Sequence, residues 1–235
     1  MSAIGIGIVG CGKIARDQHI PAIAANRRLA LLATADPASS YENVPSYPGL
    51  AQMIAAHPEM AAVSLCMPPR FRAAAAREAI AAGLHVLLEK PPAATLAEAE
   101  ELAWRAREAG VTLFTAWHSQ EGAAVRPAKD KLATAHVRSV RVTWKEDVRV
   151  WHPGQPWIWQ SGGFGVFDPG INALSILTAI LPGDLTLESA ELEVPANAET
   201  PIAARLALRG ESGFPVAADF DFRQNGTQSC DIVVE

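Results

Sequence analysis

Over residues 1–116 the chain repeats one rhythm, a short β-branched run followed by a helical run, and that rhythm limits the fold more than any other feature. Ile4 to Val9 is the first β-branched run, followed by a glycine turn at Gly10 to Gly12 and a helical stretch from Ile14 to Ala25. Leu29 to Ala35 is a second strand, closed by Asp36-Pro37. A helix over Leu50 to Ala56 leads to strand Ala62–Cys66, which stops at Pro68-Pro69. Arg70 to Ala82 is alanine-rich and helical, with Gly83 placed as a C-terminal cap. Strand Leu84–Leu88 stops at Lys90-Pro91-Pro92. Thr95 then opens a helix with Glu98 three residues on, the spacing of a capping box, and Gly110 closes it before a strand over Val111 to Ala116. Strands separated by helices at this spacing imply right-handed βαβ units and a parallel sheet.

Near residue 136 the pattern changes. Val137 to Val150 alternates with period two, and Ala203–Leu208, Val216–Phe222 and Asp231–Val234 read as further strands around one helix, Phe167 to Leu181. Repeats, low-complexity tracts and flexible linkers are not seen. Apolar residues make up 49% of the chain and charged residues 19%, enough for a buried core and too apolar for disorder. The net charge of −5, without a run of Lys or Arg, argues against a nucleic-acid surface. Cys11, Cys66 and Cys230 show neither metal spacing nor a disulfide framework, as in a reducing compartment. The amino terminus lacks a basic n-region and no stretch is long enough to span a bilayer, so a soluble cytoplasmic protein without membrane or nucleic-acid partners is expected. No His, Cys and carboxylate cluster has metal geometry, and no metal is expected.

Gly10-Cys11-Gly12-Lys13-Ile14-Ala15 matches a dinucleotide fingerprint with alanine at its third small position. Gly10 permits the tight turn, Gly12 lets backbone approach a pyrophosphate, and Ala15 lets helix pack on strand. The helix start offers free N–H groups and partial positive charge to phosphates. The same glycines fit an ordinary strand-to-helix turn, but this motif follows a buried strand and opens a βαβ unit. Asp36 ends the second strand, twenty-one positions after Ala15, where an acid would bind ribose hydroxyls and repel a 2′-phosphate. No arginine follows it, which favours NAD while leaving NADP possible. Before Pro37, Asp36 also fits a turn-starting role. The expected fold class is therefore α/β: an N-terminal Rossmann doubly wound parallel sheet over 1–118, and a C-terminal α+β domain on a mainly antiparallel sheet over 119–235.

Glu89-Lys90-Pro91-Pro92 closes a parallel strand at its carboxyl end, where an open α/β sheet places its ligand. The prolines stiffen the backbone behind Lys90, and a cis bond at Pro91 is compatible with the sequence. With the fingerprint and with Phe167-Asp168-Pro169-Gly170 after a glycine cluster, this motif resembles the glucose–fructose oxidoreductase, inositol dehydrogenase and MocA-like family. Glu89 to Leu96, Trp117-His118-Ser119, Trp144 to Arg149, Trp151-His152-Pro153 and Phe167 to Leu174 are similar to its branch of galactose and arabinose 1-dehydrogenases. The resemblance implies oxidation of an aldopyranose of galactose, arabinose or fucose type to the lactone with hydride transfer to NAD(P), and a homo-oligomer built through the C-terminal sheet. It implies that Lys90 and Asp168 handle the proton, and that His118, Glu146, Trp151, His152 and Asn172 contact the sugar. Around the cofactor it places Gly10, Gly12, Lys13, Ile14, Asp36, Cys66, Pro68, Glu89 and Lys90. Many family members have histidine where this chain has Asn172, and an amide is no base at neutral pH. Members also continue for several tens of residues beyond Glu235, so the C-terminal sheet is expected to be incomplete.

The residues themselves leave alternatives open. Asp168 before Pro169 also fits a helix N-cap. Alternation puts Glu146 on the apolar side with Val140, Val142, Trp144, Val148 and Val150, where a carboxylate needs a partner, a sugar or an internal one. An inositol dehydrogenase and a non-catalytic nucleotide-binding sensor are the rival functions.

Overall fold

The computed structural model describes residues 3–235, in two compact units that part between Ala116 and Trp117. In the first, strands β1 (Ile4–Val9), β2 (Leu29–Ala35), β3 (Ser46–Tyr47), β4 (Ala62–Leu65), β5 (His85–Glu89) and β6 (Leu113–Ala116) form one parallel sheet. Its order is β3-β2-β1-β4-β5-β6, the doubly wound arrangement, with the strand order reversing between β1 and β4. Helices α1 (Ile20–Ala25), α2 (Leu50–Ala56), α3 (Pro69–Ala81) and α4 (Leu96–Glu108) connect the strands. Burial explains why these strands read as unbroken apolar runs. Ile6, Ile8, Ile20 and Ile23 form one core cluster, while Val9, Leu65, Leu88 and Leu102 belong to another. Thr95 caps α4 by accepting the Glu98 amide, and the Glu98 carboxylate reaches back to the Ala94 amide, one residue earlier than a capping box requires.

One difference in this unit matters for the site. The sequence predicts a regular helix from Ile14 to Ala25, but Ala15–His19 is a wider π-type turn ahead of α1. His19, the last residue of that turn, is polar yet only 9% exposed.

The second unit carries α5 (Val125–Leu132), β7 (Val140–Lys145), α6 (Val148–Trp151), α7 (Phe167–Ile180), β8 (Leu185–Glu193), β9 (Ala203–Gly210), β10 (Pro215–Asp221) and β11 (Ser229–Val234). Its sheet runs β11-β7-β10-β9-β8, antiparallel except for the β7–β10 pair. Val142, Leu177, Val216, Phe220 and Phe222 centre its core. The strand predicted over 137–150 is overturned at its end. The chain leaves the sheet after Lys145 because the Asp147 carboxylate accepts the Arg149 amide at 2.9 Å and caps a helical turn. Val150 is therefore exposed rather than on the core face with Val142.

Candidate functional site

The candidate site residues fall into two groups, one in each unit. In the first unit the glycine turn leaves β1 beside the carboxyl end of β4. Gly10 has φ of 87°, and a Cβ there would lie 2.6 Å from the Met67 amide nitrogen, so only glycine fits. Gly12 is exposed, and a Cβ there would meet no protein atom within 4 Å, which leaves room for a phosphate against its backbone. Ala15 is fully buried and seats the helix on the sheet. These features fit the pyrophosphate of a dinucleotide.

Asp36 faces this turn. Its carboxylate accepts the Cys11 amide at 2.8 Å, the Ala38 amide at 2.8 Å and the Ser39 amide at 2.9 Å. It thus shapes its own turn and ties that turn to the glycines. Three of its roughly four acceptor positions are engaged, so one is left for a hydroxyl. Pro37, Ala38, Ser39, Ser40 and Tyr47 line a cleft beside it. Arg16 reaches the same loop from the π-type turn, donating to Ser39 Oγ at 3.0 Å, to the Ser40 carbonyl and to the Cys11 carbonyl. Lys13 pairs with Asp17 on the surface and Ile14 is 37% exposed. Burial pushes the Cys11 thiol above its usual pKa, so it stays a neutral packing group.

Lys90 follows β5, half-buried, and its peptide bond to Pro91 is cis. A buried polar cluster holds the backbone around it. Glu89 Oε2 accepts the Lys90 amide at 3.1 Å, and Glu89 Oε1 lies 2.7 Å from His19 Nε2. His19 Nδ1 is 2.8 Å from Ser64 Oγ, which lies 3.6 Å from Cys66 Sγ. The Arg72 guanidinium donates to the carbonyls of Met67, Glu89 and Pro91. Burial alone would raise the pKa of Glu89, but bonds from His19 and the Lys90 amide, with Arg72 nearby, hold it below the usual range. Burial would likewise discharge His19, but Cys66 and Glu89 outweigh it and push the ring up to about 10.

Neither His19 nor Arg72 is singled out by motif. Both were visible as polar residues in apolar stripes: Ala15, His19 and Ile23 recur every fourth position, and Arg72 sits among Pro69, Ala73, Ala76 and Ile80.

In the second unit Asp168 lies inside the first turn of α7, not at its cap, which is Val166 without a side-chain bond. Buried there, its carboxylate approaches His152 Nε2 at 3.4 Å. The His152 ring packs edge-on to Trp157 and against Phe222. Asn172 is one turn further along α7 and half-buried. The glycines before α7 serve the chain's own packing, since a Cβ at Gly165 would lie 2.2 Å from the Pro201 carbonyl oxygen. Glu146 lies just past β7, and its Oε1 accepts the Trp144 indole N–H at 2.6 Å, an internal partner for a half-buried carboxylate. Trp151 donates to Gln228 at 2.6 Å, and His118 is exposed in a short 3₁₀ turn. Among the described residues no three of His, Cys, Asp and Glu converge to hold a metal ion, and no helix is long and apolar enough to cross a membrane.

Comparison with known proteins gives this geometry a lineage. Residues 4–117 match the profile described as an oxidoreductase family with an NAD-binding Rossmann fold, Gfo/Idh/MocA. Galactose 1-dehydrogenase of Pseudomonas fluorescens is 46% identical over 222 residues, covering 94% of this chain and 72% of that protein. The chain belongs to the Gfo/Idh/MocA family. It is an oxidoreductase with an NAD-binding domain. The crystal structure of D-galactose-1-dehydrogenase from Rhizobium etli superposes with a TM-score of 0.95 at 54% identity, over 100% of this chain and 76% of that one. The WlbA dehydrogenase of Bordetella pertussis, solved with NADH and UDP-GlcNAcA, shares the fold at 22% identity and a TM-score of 0.88, over 99% of this chain and 74% of that one.

Proposed function

We propose that this oxidoreductase converts an aldopyranose of galactose, arabinose or fucose type to its lactone, with NAD as the preferred cofactor. The observation that carries the reading is the likeness to two galactose dehydrogenases, 46% and 54% identical over 94% and 100% of the chain, so that it runs through both units. When bound, NAD supplies the acceptor for the hydride that C1 gives up as its hydroxyl becomes the lactone carbonyl.

The chain's own residues do the rest. Gly10 and Gly12 admit the pyrophosphate, with Lys13, Ile14, Cys66, Pro68 and Glu89 around the cofactor, and Asp36 takes a ribose hydroxyl and disfavours a 2′-phosphate. Lys90 and Asp168 are assigned the proton of the anomeric hydroxyl. Asn172 is restricted to hydrogen bonding, because an amide does not titrate near neutral pH. Glu146, His152, His118 and Trp151 are assigned the remaining hydroxyls and the apolar sugar face. His152, beside Asp168, keeps that carboxylate oriented.

The test is a panel of aldoses and cyclitols, each with NAD and with NADP, followed by absorbance of the reduced nicotinamide. Turnover of galactose, arabinose or fucose with NAD and formation of the lactone are expected. Turnover confined to cyclitols, or binding of NAD without turnover of any sugar, overturns the reading.

A further inference from the structure

The proton-handling role given to Lys90 raises the question of what holds its backbone in place. We propose that His19 is a positioning residue, which acts through the Glu89 carboxylate to hold Lys90 in its working place. The proposal rests on the reading of Lys90 given above.

The connection is short and continuous. One oxygen of Glu89 meets His19 Nε2 at 2.7 Å and the other accepts the Lys90 amide at 3.1 Å. A carboxylate turns easily about its last torsion. The imidazole, anchored on its far side to Ser64 Oγ at 2.8 Å, fixes that torsion and so fixes the acceptor presented to Lys90. Arg72 holds the Glu89 and Pro91 carbonyls on either side, so carboxylate and guanidinium together define the Lys90 backbone. Glu89 is 7% exposed, and a buried carboxylate that loses its charged partner must be neutralised or move. Either change alters its bond to the Lys90 amide. His19 closes the wider turn at Ala15–His19 and is buried there with Ala15. Neither His19 nor Ser64 needs contact with cofactor or sugar for this role.

A double-mutant cycle in the full chain tests it, with kcat expressed per bound NAD so that misfolded protein does not count. Displacing a reacting group by about an ångström lowers rate on the order of 100-fold. His19→Ala should therefore lower kcat about 10–100-fold, with NAD affinity and sugar KM within threefold of the parent. In a Lys90→Met background the same change should cost less than about threefold more, because the group it positions is gone. His19→Gln, which can still donate to Glu89, should keep kcat within about fivefold. It carries the same cycle should His19→Ala fail to bind NAD stoichiometrically.

A kcat within threefold of the parent for His19→Ala overturns the proposal. So does a loss that multiplies in full with that of Lys90→Met, or a His19→Gln protein that binds NAD fully yet loses more than tenfold in both backgrounds. Should Lys90→Met itself keep the parent rate, the assignment of Lys90 falls and takes this proposal with it. The first three outcomes leave that assignment standing.

Discussion

Asp36 has three backbone amides to satisfy before any ligand arrives, and this makes its removal informative. Asp36→Ala frees the loop over 37–40 and removes the charge that repels a 2′-phosphate, while Arg16 stays within reach of that loop. The ratio of kcat/KM for NAD over NADP should fall at least tenfold, read from initial rates with both cofactors. An unchanged ratio removes Asp36 from cofactor selection. The buried pair of His19 and Glu89 makes a second prediction. The His19 pKa is raised above its unfolded value of about 6.5 to about 10, so its stabilisation is complete below about 6.5 and is lost as pH rises through about 10. Thermal melting should show Tm declining between pH 7 and 10, and His19→Gln should flatten that decline. An equal decline in both proteins would place its cause elsewhere.

At the scale of elements, the β1-to-helix turn and the β5 terminus were legible because their signals are local. Gly10 and Asp36 each act within a few residues of a strand end, and Lys90-Pro91-Pro92 marks where β5 stops. Gly10→Ala would force a Cβ against the Met67 amide and hold a non-glycine residue at positive φ, which costs about 1–3 kcal/mol. NAD affinity should fall at least tenfold by titration, and an unchanged affinity would mean the turn does not cradle the pyrophosphate. Elsewhere local signals failed. β8, Leu185–Glu193, is exposed along nearly its whole length, and its alternation of apolar and polar residues is interrupted where the register shifts between Leu187 and Ser189. The valines of α6 continue the period of β7, and only the Asp147 cap diverts the chain from the sheet. The π-type turn leaves no trace in hydrophobic period, because Ala15, His19 and Ile23 keep a spacing of four, and the role of His19 rests on its pairing with a residue seventy positions away. The roles of Arg16, Arg72 and His152 depend in the same way on partners the linear chain does not reveal.

For the whole molecule, the second unit's sheet leaves apolar side chains uncovered. Leu187 is 56% exposed and Leu192 52%, both on the edge strand β8, and Val194 just past it is 49% exposed. We propose that this surface pairs copies of the chain. Sedimentation should show an oligomer that Leu187→Lys with Leu192→Lys dissociates; a parent that sediments as a monomer contradicts it. Proton transfer by Lys90 is read directly from single-turnover and steady-state NADH formation from galactose by the parent and by Lys90→Met. Proton transfer by a positioned side chain contributes typically 10²–10⁴-fold. Lys90→Met should therefore lose about 1,000-fold in kcat while its NAD affinity stays within threefold. A Lys90→Met protein that binds NAD normally and turns over galactose within tenfold of the parent would contradict the account.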